Sequence, residues 1–195
     1  MATCITPNII KETSSGMFAC TIRDDMLLHR EIECSGEIDA ASASSLIRQI
    51  RYLARKAPGE EITLYINSPG GEVAQGLALY DVMRAVGCPI RTVCTGTAAS
   101  MGALLFAAGH QRDMLPHAKV MIHDPLRLAG PGGSALDVKR QSDELLETRE
   151  TTGKILAQHT HKTLEEIYEK TAKDTWFTAQ EAVDFGLADR ILQEI

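Results

Sequence analysis

The chain has 195 residues, 44% of them apolar and 24% charged; at about 150 residues per domain this is one compact domain with at most an appendage, and neither a disordered nor a fibrous protein. Lys and Arg number 20 against 26 Asp and Glu, a formal charge of −6, the wrong sign for a phosphate-backbone binder, so nucleic acid is not an expected partner. Five cysteines (Cys4, Cys20, Cys34, Cys88 and Cys94) show no CxxC and no zinc-like spacing, so neither a disulfide framework nor a metal site is expected and a reducing compartment fits best.

Residues 1–16 are mixed polar, carry Pro7 and Gly16 and show no sustained period, which reads as a flexible N-terminal segment. They lack the cationic start and apolar run of a secretory leader, and no apolar stretch reaches 18 residues. A cytoplasmic protein with no membrane contact of its own is therefore expected. The domain proper, 17–195, opens with strand-like runs at 17–22 and 26–34. A helix follows from about Ala40 to Lys56, with Asp39 as its N-cap and Ala43, Leu46, Ile47, Ile50, Leu53 and Ala54 on one face. Next come a strand at 62–67, the turn Ser68-Pro69-Gly70-Gly71, a helix from Glu72 to Val86 and a strand at 90–95. The small-residue corner GTAAS leads into an apolar helix at 100–108, and a strand occupies 119–123. Strands alternating with helices predict an α/β fold with a largely parallel sheet, whose ligands sit beyond the carboxyl ends of the strands. Beyond the loop LAGPGGS (128–134), a helix of about Ala135 to His159 has only Leu145 and Leu146 as large apolar residues in its middle. A helix that polar reads as an arm projecting from the globule into an assembly. A helix from Leu164 to about Thr171 and a final strand-like LADRIL close the chain.

Four segments could carry chemistry. The glycines of Ser68-Pro69-Gly70-Gly71 let the backbone approach a ligand beside a helix N-terminus, although a tight strand-to-helix turn needs the same residues. At Gly96-Thr97-Ala98-Ala99-Ser100-Met101-Gly102 a strand feeds a helix through residues too small to crowd a sharp corner, so Ser100 is either a nucleophile whose oxyanion meets the Met101 N–H or a helix cap. His123 ends an apolar strand, where a general base is held by the core yet reaches a cleft; a structural histidine is the alternative. Asp174 stands two residues before the single Trp and either accepts from an imidazole N–H or caps the helix beyond it.

Taken together, INSPGGEVAQGLALYD (66–81), GTAASMGALLFAAG (96–109), VMIHDP (120–125) and KDTWFTAQEAVDFGLAD (173–189) resemble the Clp protease proteolytic subunit, the ClpP family, over about Ile62 to Asp189. The resemblance implies a ClpP/crotonase-like superhelix of β-β-α units with a projecting handle at about 124–160. It implies a serine endopeptidase with Ser100 as nucleophile, His123 as general base and acid, Asp174 as the residue orienting His123, and Gly71 and Met101 as oxyanion-hole donors. It also implies self-assembly into two stacked heptameric rings, and an unfoldase ATPase of the ClpX, ClpA or ClpC class that feeds in unfolded polypeptide. No cofactor is expected on this chain: GxxxxGK[ST] is absent, so ATP belongs to the partner.

Ala172 and Lys173 stand where the family carries an acidic residue and an Arg that latch the rings together, and Thr63 replaces an aromatic residue of the cleft where ATPase loops dock. The loop LAGPGGSALD departs from the usual handle loop, and 1–34 match poorly. Two alternatives follow: a subunit weakly active alone that works in a mixed ring with a paralogous ClpP chain, and a crotonase-like acyl-CoA enzyme, which needs no Ser-His-Asp set.

Overall fold

The structure, a computed structural model, describes residues 8–14, 16–127, 130 and 132–194. Strands β1 (Asn8–Thr13) and β2 (Gly16–Thr21) form an antiparallel hairpin. Ordered pairing thus begins inside the segment expected to be flexible, while residues 1–7 lie outside the described residues. The expected strand at 26–34 is divided between a helix and a strand, α1 (Ile22–Leu28) and β3 (Glu31–Ile38). The reason is a capping box: Thr21 Oγ1 accepts from Asp24 N–H and the Asp24 carboxylate accepts from Thr21 N–H, both at 3.0 Å. Arg30, at φ 65°, reverses the chain between them. Its guanidinium donates to the carbonyls of Leu53, Glu60 and Glu61.

The remaining elements are α2 (Ala40–Lys56), β4 (Ile62–Gly71), α3 (Val73–Ala85), β5 (Ile90–Ala99), α4 (Met101–Ala107), β6 (Gln111–Met114), β7 (Lys119–Ile122), α5 (Ala135–Thr160), α6 (Leu164–Thr171), β8 (Thr175–Thr178), α7 (Ala179–Phe185) and β9 (Arg190–Ile191). The result is a mixed α/β fold with seven helices among the described residues. Strands β3-β4-β5-β6-β9 are parallel neighbours. Besides its pairing with β4, β5 makes two more: residues 91–94 pair with β6, and 97–99 pair with β7, which in turn pairs antiparallel with β8.

What reads as a turn at Ser68-Pro69-Gly70-Gly71 is a bend within one long strand. β3, β4 and β5 all shift register at the same level, between Ser35 and Glu37 and between Ile66 and Ser68. Side chains stitch this corner where the ladder is interrupted. Buried Ser68 donates its hydroxyl to Gly36 O at 2.6 Å and accepts from Gly70 N–H at 3.1 Å. Asn67 Oδ1 accepts from Thr97 N–H at 3.1 Å.

The core lies between the sheet and its helices. α2 buries Ala43, Leu46, Ile50 and Leu53, and every residue of α4 is buried. α5 buries only Gly153, Leu156 and Thr160, all near its C-terminus. Its outer part is laced with exposed i,i+3 and i,i+4 pairs such as Lys139–Asp143 and Arg140–Asp137 and leaves Leu136 and Leu146 open, as an arm standing off the globule should. Of the loop before it, Leu128, Ala129 and Pro131 lie outside the described residues.

Arg112 ties the far end of α5 to the sheet. Its guanidinium donates to His159 O and Gly186 O, each at 2.7 Å, and to Asp189 Oδ1 at 2.5 Å. The His159 ring packs edge-on to Tyr80, with Nε2 3.2 Å from the hydroxyl. Burial, aided by Arg84 and Arg112, pushes its pKa from 6.5 down to about 4. The folded chain therefore refuses a proton that the unfolded chain takes. This contribution to stability is complete above pH 6.5 and is lost as pH falls toward 4. The ring is only partly buried and keeps some of its hydration, so the loss is on the order of 1 kcal/mol. Urea unfolding followed across that window should show it, and His159→Gln should flatten the slope there; an equal slope in the variant removes His159 as the cause.

Candidate active site

Ser100 is the single residue between β5 and α4 and holds φ 54°, ψ −121°, a conformation that costs a non-glycine residue about 1–3 kcal/mol. Its neighbours leave no alternative. Its N–H donates to Met121 O at 2.9 Å, and its carbonyl accepts from Ala103 N–H at 3.0 Å. Its side chain makes no capping hydrogen bond; instead Oγ lies 2.8 Å from His123 Nε2. Of the two readings of Ser100, the structure removes the cap and leaves a serine paired with an imidazole at the end of a strand.

His123 follows β7 directly. Pairing of β7 with β8 sets Ile122 opposite Thr175, which brings Asp174 alongside: its Oδ1 is 3.4 Å from His123 Nδ1. This is an ion-pair distance, longer than a good charge-assisted hydrogen bond. The Asp174 side chain is 66% exposed, against 15% for His123. Asp174 caps no helix, since Thr178 caps α7 through its own box with Glu181.

The two glycines of β4 do different things. Gly70, at φ +98°, presses against the serine: a Cβ there would lie 2.7 Å from both Ala99 O and Ser100 Cβ. Gly71 packs against β3, where a Cβ would come within 2.2 Å of Ile38 O. Met101 begins α4, so its N–H has no acceptor within that helix. Its side chain is accommodated by Gly76, where a Cβ would meet Met101 Cε at 2.3 Å.

A small cavity opens beside Ser100 and His123. Its apolar wall includes Val73, Met101, Leu104, Ile122, Pro125 and Leu156. Gly71 and Asp174 stand off this wall. Three residues that sequence reasoning missed also border it: Asp124, Arg149 and Thr171. Arg149 Nε donates to Asp124 Oδ2 at 2.6 Å, and Thr171 Oγ1 donates to Asp124 Oδ1 at 2.5 Å. The only sequence signal was the position of Asp124 next to His123; nothing local pairs it with residues 25 and 47 positions away.

The chemistry available is that of serine and histidine. Burial pushes the Cys34 thiol up to about 11 and that of Cys94 to about 12, which keeps both out of nucleophilic work at neutral pH. Among the described residues no group of three or more His, Cys, Asp or Glu is arranged to hold a metal ion, and no helix is long and apolar enough to cross a membrane. Because Gly70 combines a positive φ with backbone contact at Ser100, Gly70→Ala should lower stability by about 3 kcal/mol in chemical denaturation. A change under 1 kcal/mol would show that the corner yields.

The Ser100–His123 pair, the bent strands and the cavity all fall within residues 14–195, the stretch matched by the family model described as Clp protease. The match covers nearly the whole chain, and the chain belongs to that family, a peptidase with the mixed α/β fold of its members.

Proposed function

We propose that this chain is a serine endopeptidase, the proteolytic subunit of an ATP-dependent Clp protease, that hydrolyses unfolded polypeptides to short peptides through an acyl-enzyme at Ser100. The observation that carries the reading is the 2.8 Å contact between Ser100 Oγ and His123 Nε2 on a serine held in a strained corner. In this mechanism neutral His123 takes the Oγ proton as Oγ attacks the scissile carbonyl, then returns that proton to the leaving amine. The N–H groups of Met101 and Gly71 meet the oxyanion. Asp174 faces the imidazolium that forms and stabilises it. A water, deprotonated by the same imidazole, releases the acyl group. The apolar wall beside Ser100 suits the side chain next to the scissile bond.

The unfolding work belongs to a partner ATPase, and the chamber to stacked rings of subunits of this kind in the cytoplasm. A mixed ring with a paralogous chain is the second reading. It is favoured by the long, exposed Asp174–His123 contact together with Ala172 and Lys173 beside it. An acyl-CoA enzyme of the crotonase kind has no use for a strained serine paired with an imidazole.

Ser100→Ala should abolish covalent labelling by a fluorophosphonate and cut peptide hydrolysis by about a thousandfold or more; equal labelling of the variant would sink the acyl-enzyme. Size fractionation of the protein alone, with a fluorogenic peptide assay on each fraction, separates the two assembly readings. An active species near fourteen subunits dismisses the need for a paralogue, whereas inactive smaller species that gain activity only on mixing establish it.

A further inference from the structure

We propose that Asp124 is a positioning residue for the His123–Ser100 pair, acting through Thr171 and Arg149; the proposal rests on the reading of Ser100 and His123 as the hydrolytic pair. His123 is bracketed. On one side Ile122 sits opposite Thr175 in the β7–β8 ladder. On the other, Asp124 N–H donates to Thr171 O at 2.7 Å, and Thr171 Oγ1 returns a hydrogen bond to Asp124 Oδ1 at 2.5 Å. The two neighbours of His123 are therefore joined to the two residues, 171 and 175, that flank the turn carrying Asp174. Thr175 closes that turn from within, donating its hydroxyl to Lys170 O at 2.6 Å. With both ends of the turn held to the strand, the imidazole and the carboxylate are kept facing each other although the Asp174 side chain is itself largely exposed.

The second oxygen of Asp124 fixes the bracket to the long helix. Arg149 of α5 donates Nε to it at 2.6 Å, and the guanidinium lies 3.6 Å from the centroid of the Tyr168 ring of α6. A planar, stacked, hydrogen-bonded guanidinium sets distance and angle together, which a lysine does not. The trio of Asp124, Arg149 and Thr171 borders a cavity whose other walls are largely apolar, and an ion pair that keeps 28% and 33% of its side-chain surface in solvent adds little net stability. Its product is geometry: three elements, β7, α5 and α6, are locked at the residue that follows the general base. Misplacement of a catalytic group by about 1 Å costs up to a hundredfold in rate.

The test compares Thr171→Val, which removes the hydroxyl at nearly constant volume and charge, with Thr171→Ser, which restores it, and with Asp124→Asn and Arg149→Lys. Thr171→Val is expected to lower kcat on a fluorogenic peptide, and the rate of fluorophosphonate labelling, by about tenfold or more, with KM within twofold and the melting temperature little changed. Thr171→Ser is expected to recover most of the loss. Crystal structures of the wild type and of Thr171→Val give a second readout independent of hydrolysis: the His123–Asp174 separation should lengthen by about 1 Å in the variant. The proposal is overturned if Thr171→Val and Asp124→Asn keep kcat within twofold, if activity falls only in proportion to unfolded protein, or if the separation stays unchanged. A wild-type chain that no fluorophosphonate labels at Ser100 defeats the hydrolase reading instead, and the crystal separation then decides the bracket alone.

Discussion

Everything at the site depends on one backbone constraint: a serine held at φ 54° in the single step from β5 to α4. Such a residue persists only where the surroundings over-determine it. Here a strand pulls from one side, through Ser100 N–H on Met121 O. A helix whose residues are all buried, among them Leu104, Leu105 and Phe106, anchors the other. Burial of the three side chains contributes about 1.5–3 kcal/mol each, more than the strain opposes. The same corner requires Gly70 to touch Ser100, since a methyl group would enter the space of Ala99 O. Exposure of Oγ to His123 is thus a product of core packing several residues away.

The polar interior serves the same end. Among the described residues no buried side-chain nitrogen or oxygen lacks a partner, and the bonds concentrate where strands bend or stop. Ser68 bridges the bulged strands β3 and β4. The Thr92 hydroxyl donates to Phe106 O near the end of α4 at 2.8 Å. Fully buried Asp113 joins three strands, taking Arg91 at 2.6 Å, Arg190 at 2.7 Å and Gln111 at 2.9 Å. Burial pushes that carboxyl up, yet the hydrogen bonds from Arg190, Gln111 and Arg91 outweigh it and hold the pKa below its ordinary value. A ladder interrupted by bulges leaves backbone and side-chain groups that must be satisfied elsewhere, and these knots do so without blocking the cavity beside Ser100.

Legibility in the sequence followed the range of the interactions involved. α2, α5, α6 and β7 were readable because their signals are local: a capping aspartate, an apolar stripe of period 3.6, an apolar run ended by His123. α1 is hidden because MLL has the composition of a strand, and the signal that makes it helical, the Thr21–Asp24 box, lies ahead of it. β6 was invisible, being four residues with a buried aspartate at its centre whose burial makes sense only beside Arg91 and Arg190. The bend at Ser68-Pro69 passed for a turn because the residues that permit a bulge are those that permit a reversal. At the site Ser100 and His123 were legible from their strand-end settings. Asp174 is legible beside the single Trp, but its exposure, like the meeting of Asp124, Arg149 and Thr171, follows only from the topology.

The exposure of Asp174 and the form of α5 have one physical reading. A helix of 26 residues whose buried positions all lie beyond Thr152 gains little from its own chain along most of its length. Exposed i,i+4 pairs contribute about 0.3–0.5 kcal/mol each; Leu136 and Leu146 of this helix lie in solvent, as do Leu126 ahead of it and Trp176 of β8. Two of these, Leu126 and Trp176, stand three residues from His123 and two from Asp174. In the ring assembly proposed above, burial of that apolar surface would also desolvate the aspartate. Its interaction with the imidazole would then strengthen, because the same separation in a lower dielectric carries more energy. On that reading the subunit holds Ser100 and His123 by its own core, whereas the place of Asp174 beside them would depend on the proposed bracket through Asp124 and on what covers the arm.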